Sequence, residues 1–421
     1  MSRDRYSSEQ LAQIRSLLQD TLGDDGAAQA LENLDQRFTP AEEAAAAKEA
    51  EQEETNTARV DRNKNQIDVA EVIKGGKLHE MIEALGQLEE QPKESRALVA
   101  SILKHKEVKS FHLCEALGKV SDDLELVDAL VHGIISRKGV NPLIDALKHA
   151  VISPKAMKSL ALSIADQGTV NHVLRAIASA PKDQPEAEIT WAMEVMGKGA
   201  VEQMVEALNL IDEKSPGVVV LATGIVSREE AKIESKVRAL AKCLNNEKAC
   251  SIIAAHMATT VDVPSLVPLL EKYAKDSTVA GEIVVSQLVY KSLTTQGREK
   301  LITTACRRIR TNSMSGRILA MGICKMGNLA VMEKAFGMLS SCPSGQAIVG
   351  VEFIKKKGML MAIKALGMKV RESAKKQADV KKDISEATAR YKVILKEHLN
   401  VDPAKAEEEA KELAAAKSAK K

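Results

Sequence analysis

Along the middle of the chain apolar residues recur at steps of three and four, in short blocks broken by glycine or polar turns. Positions three and four apart share a helical face, so this spacing predicts amphipathic helices. One block keeps returning: "GKLHEMIEAL" from Gly76, "GVNPLIDAL" from Gly139, "GTVNHVLRAI" from Gly168, "GAVEQMVEAL" from Gly199 and "GMLMAIKAL" from Gly358. Aligned on the final apolar residue, ten copies end at Leu85, Leu117, Leu147, Ile177, Leu208, Leu240, Leu270, Cys306, Phe336 and Leu366. Successive spacings are 32, 30, 30, 31, 32, 30, 36, 30 and 30 residues. Alanine precedes the end point in nine copies, Leu269 being the exception. Glycine stands eight or nine positions upstream in seven: Gly76, Gly139, Gly168, Gly199, Gly297, Gly327 and Gly358.

A second apolar helical segment lies between the copies, as in "KAMKSLALSIAD" and "EITWAMEVMG". Each repeat is therefore two short helices. The glycine fits the position just past the first helix, where a left-handed backbone ends it without a Cβ penalty. The second helix presents Val201, Met204, Val205 and Leu208 on one side, and the recurrent alanine marks a close helix crossing. A two-helix unit of ~30 residues cannot bury its apolar face alone, and stacking joins many small faces into one core. The T-P-L-H and W…L-G…Y patterns of ankyrin and tetratricopeptide repeats are absent. The expected fold is all-α: a right-handed α-solenoid of about ten two-helix repeats, period about 30–32 residues, with helical N- and C-terminal extensions.

In period and helix pairing, residues 66–372 resemble the HEAT-like α-solenoid superfamily, particularly its short-repeat branch. The resemblance implies a scaffold that binds partners along a curved surface. Residues 1–38 read as short amphipathic helices, with Leu11, Ile14, Leu17, Leu18 and Leu22 on one side. Residues 39–65 read as an acidic helix and a polar linker, opened by Thr39 as N-cap, Pro40 at the first helical position and Glu42 in a capping box. This front segment is either an end cap folded on the first repeat, the favoured reading, or a tethered docking peptide. Residues 373–421 read as charged C-terminal helices and a basic tail, with "AKSAKK" unstructured. Within them Val380, Ile384, Ala387, Tyr391 and Ile394 step by 4, 3, 4 and 3, a stripe that caps the array or pairs with a partner, capping being favoured.

Composition adds three constraints. Aromatic residues make up 2% of the chain, so Ala, Leu, Val, Ile and Met fill the core, and Trp191 in its apolar segment is read as core. The start has no apolar leader and no apolar stretch reaches the ~20 residues a membrane span needs, so no transmembrane segment is expected. Six cysteines without a C-x-x-C pair read as reduced, buried thiols in a cytoplasmic protein. Charge is unevenly spread: residues 1–65 carry net −6, residues 66–290 net −6 and residues 291–421 net +14.

The basic rear concentrates in residues 291–357, which hold 12 basic and 3 acidic side chains. Arg298, Lys300, Arg307, Arg308, Arg310, Arg317, Lys325, Lys355, Lys356 and Lys357 are the candidate partner-binding residues. The first reading is a non-enzymatic scaffold or adaptor whose basic C-terminal repeats bind an acidic protein surface, or the chain's own acidic N-terminal half in self-association. The alternative is nucleic-acid binding through the same patch, which suits phosphate neutralisation but lacks aromatics for base stacking. No catalytic residue, metal site or cofactor is expected. Phosphate-loop, dinucleotide and nucleophile-elbow motifs are missing, and "SILK" and "SAKK" match S-x-x-K without its companion motifs. Some HEAT-like proteins use repeated His-Glu dipeptides as iron ligands, but here there is one, His79–Glu80. His105 and His112, seven apart, have no carboxylate or thiol at ligand spacing to complete a site.

Overall fold

The computed structural model describes residues 67–88, 91–120, 123–151, 153–262, 265, 279–295, 299–309, 313–366 and 377–419. The expected N-terminal helices, the acidic helix with its linker, and the repeat copy ending at Leu270 lie outside them. The described residues form twenty-one helices that pack consecutively, with no strand among them. The chain divides into two compact units, Met1–Gly224 and Ile225–Lys421.

The first unit contains α1 (Val69–Gly75), α2 (Leu78–Leu85), α3 (Pro92–Lys104), α4 (Ser110–Lys119) and α5 (Leu124–Ser136). These are followed by α6 (Val140–Ala146), α7 (Pro154–Gln167), α8 (Val170–Ser179), α9 (Pro185–Lys198) and α10 (Val201–Leu210), and by α11 (Pro216–Ser227), which runs across the division. From α1 to α10 each helix packs on the next and on the next but one, giving one row of α1, α3, α5, α7 and α9 and a second of α2, α4, α6, α8 and α10.

Local chemistry sets the boundaries. Proline opens α3, α7 and α9, where its missing N–H has no partner to lose. Asp68, Asp123 and Ser153 cap α1, α5 and α7 through side-chain oxygens. In the second row the third helical residue reaches back instead: the N–H groups of Lys109, Thr169 and Ala200 donate to His112 Nδ1, His172 Nδ1 and Gln203 Oε1. His112 is thus a helix cap, and burial lowers its pKa. His105 donates from Nε2 to Gly76 O and accepts Glu107 N–H at Nδ1, so it too is structural.

Polar ladders tie neighbouring repeats. Besides His105, Arg137 Nη2 donates to Leu103 O (3.0 Å) and Lys198 Nζ to Ala165 O (3.3 Å), so side chains at first-row helix ends satisfy carbonyls ending the previous first-row helix. In the second row Arg175 donates to Asn141 and Gln203 to Asn171. These bonds span 29 to 34 residues, one repeat.

The second unit contains α12 (Ile233–Lys242), α13 (Glu247–Thr260), α14 (Val279–Thr294), α15 (Glu299–Cys306) and α16 (Met314–Met326). It continues with α17 (Leu329–Met338), α18 (Pro343–Lys357), α19 (Met359–Leu366), α20 (Gln377–Glu397) and α21 (Pro403–Ala419). The same alternation recurs: α13, α14, α16 and α18 pack in one row, and α15, α17 and α19 in the other.

Nine of the ten aligned copies fall on α2, α4, α6, α8, α10, α12, α15, α17 and α19. Ala84, Ala116, Ala146, Ala176, Ala207, Ala239, Ala305 and Ala335 are buried there, and Ala365 on the last copy is half-buried. Val201, Met204, Val205, Leu208 and Trp191 are core residues. The glycines depart from the expectation. Gly76 and Gly327 take the left-handed backbone, φ 64° and 71°, but Gly168 and Gly199 are extended, φ −91° and −83°. At those two positions close approach excludes a side chain: a Cβ would stand 2.4 Å from Ile164 O and 2.5 Å from Val195 O.

Two C-terminal expectations change. Helix α20 does bury its stripe: Val380, Ala387, Tyr391 and Ile394 are buried and Ile384 is half-buried. It packs on α14, α16 and α18, reaching back from the last repeat over first-row helices of the preceding ones, and α21 packs on α14 and α20. Nor is "AKSAKK" wholly unstructured, because α21 runs to Ala419 on a sequence rich in helix-favouring alanine, lysine and glutamate.

Candidate functional site

The described candidate cations are distributed over α15, α16 and α18 and the turn after α15. Arg298 and Arg310 lie outside the described residues, and Lys300 is in α15. Arg307 is exposed just past α15, with the half-buried Arg308, itself engaged in a contact, beside it. Arg317 and Lys325 stand near opposite ends of α16. Lys355, Lys356 and Lys357 form an exposed cluster in the last turn of α18, where positive charge complements the helix dipole, and Lys355 pairs with Glu352 at 3.1 Å.

The C-terminal helices bring Arg317 and Lys325 together with carboxylates. Arg317 Nη1 lies 3.1 Å from Asp383 Oδ1 and 3.1 Å from Glu386 Oε2, both on α20. Lys325 Nζ is 3.6 Å from Glu407 Oε1 on α21 and 5.8 Å from the Tyr391 ring centre. Glu407 also meets Lys392 at 3.1 Å, and that hydrogen bond is the main reason its carboxyl is held below the usual range. Helix α14 contributes two further contacts. Glu282 accepts from Arg390 Nε at 2.7 Å, and Tyr290 donates its hydroxyl to Glu409 Oε2 at 3.2 Å.

Sequence reasoning missed Glu282, Tyr290, Asp383, Glu386, Arg390, Glu407 and Glu409. Part of the signal was present: Asp383, Glu386 and Arg390 step by 3 and 4 beside the apolar stripe, so they share its side of the helix. Their partners on α14 and α16 had no such marker.

Chemically the arrangement is the apolar stripe of α20 packed on neighbouring helices and flanked by charge pairs to α14 and α16. The thiols offer little nucleophilicity, because burial pushes Cys114 and Cys250 up to about 11 and Cys243, Cys306 and Cys324 up to about 12. In the first unit, ligand atoms of His79 and Glu83, one turn apart on α2, and of Glu115 on α4 lie within 4.8 Å of one another. All three are exposed and the Lys119 ammonium is 3.7 Å from Glu83, so a cation there would compete with charge already present. Glu80 of the His79–Glu80 dipeptide instead pairs with Lys77 at 2.7 Å. Among the described residues no helix is long and apolar enough to cross a membrane. No family model, curated protein or solved structure matches this chain.

Proposed function

We propose that the chain is a non-enzymatic, cytoplasmic scaffold, an α-solenoid of HEAT-like helix pairs whose C-terminal repeats bind a protein partner. The observation that carries this reading is the pairing of Arg317 and Lys325 with carboxylates borne on an amphipathic helix. Cations in this part of the molecule have the geometry to read acidic positions on a helical surface, while the apolar stripe of such a helix supplies contact area. The same pairing takes two of the candidate cations away from a phosphate-neutralising stripe, which favours protein over nucleic acid. Arg307, Lys356 and Lys357 stand exposed and are the partner-facing cations of this reading. Six free cysteines suit a reducing compartment.

Affinity purification with the full chain from native lysate, with and without nuclease, tests the proposal. A protein recovered by the wild type, retained after nuclease and reduced at least tenfold by Arg307→Glu/Lys356→Glu/Lys357→Glu supports it. Recovery that survives the triple variant removes these residues from the site, and recovery abolished by nuclease replaces the reading with nucleic-acid binding.

A further inference from the structure

The face built by α14, α16 and α18 is polar where α20 and α21 cover it. Glu282, Ser286 and Tyr290 are spaced four apart on α14 and form one ridge, whose two ends bond to Arg390 and Glu409. Between them Ser286 is fully buried, and its hydroxyl has no hydrogen-bond partner. On α16 the Nε of Arg317, which meets α20 through Nη1, is likewise buried and unpartnered. A buried polar group left unsatisfied forfeits its hydrogen bonds to water, so a permanent cover would be expected to meet these atoms. Helix α20 fits the ridge and the charges but leaves donors and acceptors beneath it unanswered. The ion pairs that α20 and α21 make with this face are also half-open: exposures of 43% for Glu386 on α20, of 33% for Lys325 and of 40% for Glu407 on α21 leave them subject to salt screening.

Taking the scaffold reading as given, we infer that this face is a docking surface for an amphipathic helix of a protein partner, and that α20 is its tethered stand-in. Helix α20 supplies the recognition pattern. Two carboxylates three residues apart meet Arg317, an arginine four residues past the second meets Glu282, and the apolar Val380, Ala387, Tyr391 and Ile394 are buried. A partner helix with this pattern and an added polar group opposite Ser286 would outcompete α20. The tether keeps α20 at an effective concentration of order millimolar, so a free helix gains access mainly when the internal contact is weakened.

The test uses the full chain and a fluorescent peptide of residues 377–399 carrying the wild-type α20 sequence. Arg390→Glu in the chain sets two carboxylates against each other at Glu282 while leaving the face itself intact. The peptide should bind this variant at least tenfold more tightly than the wild-type chain, and less tightly as salt rises. A peptide carrying Arg390→Glu should lose that binding and regain it on a chain carrying Glu282→Arg alone, where the tethered Arg390 now faces an arginine and the peptide's carboxylate can pair with it. Equal binding to the wild-type and Arg390→Glu chains, or no restoration by the reversed pair, overturns the inference. Hydrogen exchange on the unaltered chain is an independent measure: α20 amides should exchange well before those of α16. If both helices exchange together, α20 is a fixed part of the core and the inference falls. Neither measurement needs the natural partner, so the scaffold reading can fail in purification while this one stands, and the reverse.

Discussion

At the residue scale, the recurrent features are responses to burial. Histidine shows this most clearly. His112 caps a helix, while His256 on α13 is half-buried with its Nε2 2.9 Å from the Nζ of Lys236, itself nearly buried on α12. Burial first, and then the neighbouring ammonium, lowers the His256 pKa from 6.5. Burial lowers His112 and His398 in the same direction. A group with a lower pKa in the fold binds fewer protons there than in the unfolded chain, so acid favours unfolding. The contribution of these histidines is full above the unfolded value of 6.5 and is lost as pH falls from there through the depressed values. Urea denaturation between about pH 7.5 and 5.5 should therefore show a falling midpoint, with a smaller fall in His256→Gln. An unchanged slope in that variant would show that His256 is not among the groups responsible.

At the element scale, two helical glycines separate propensity from packing. Gly322 lies where α16 crosses α14, and a Cβ there would stand 2.6 Å from Val289 Cγ1. Gly337 on α17 is exposed, with nothing within 4 Å of such a Cβ. Both gain helix propensity on becoming alanine, at most about 1 kcal/mol. Gly337→Ala should raise the thermal midpoint by that amount of stability. Gly322→Ala should lower it, since forcing the two helices apart costs about 1–3 kcal/mol and outweighs the gain. Calorimetry of the two variants decides the matter, and a stabilised Gly322→Ala would mean that α14 and α16 do not approach this closely. The same crossing also holds up the face on which α20 lies, so its geometry bears on binding as well as stability.

At the scale of the whole molecule, contacts are short in sequence. In the first unit each helix from α1 to α8 packs on its two successors in the chain, and the ladders bridge one repeat at a time. Such an array has a stability approximated by a sum of local terms, so damage should stay local. Leu143 on α6 is fully buried, and Leu143→Ala should cost about 2–5 kcal/mol. By hydrogen exchange mass spectrometry the protection loss should centre on α4 to α8 and leave α16 and α18 at wild-type rates. Uniform loss through both units would show global cooperativity instead. The second unit adds one long-range element: α20 and α21 return to α14, linking residues more than a hundred positions apart.

What the sequence determined by itself is what depends on near neighbours in the chain. The helices, the alanines before each end point and the apolar side of residues 380–394 were legible because helical period and side-chain volume act within a few residues. The backbone of Gly168 and Gly199 was not, because a left-handed turn and a steric exclusion are both met by glycine. Nor could the fate of Arg317 and Lys325 be read among so many similar cations. Their carboxylates sit on helices brought back by folding, and charge carries no periodic signature naming a distant partner. The tertiary structure alone decided which basic residues are engaged, which stand exposed, and that the apolar stripe of α20 packs back on α14 and α16 as well as on α18.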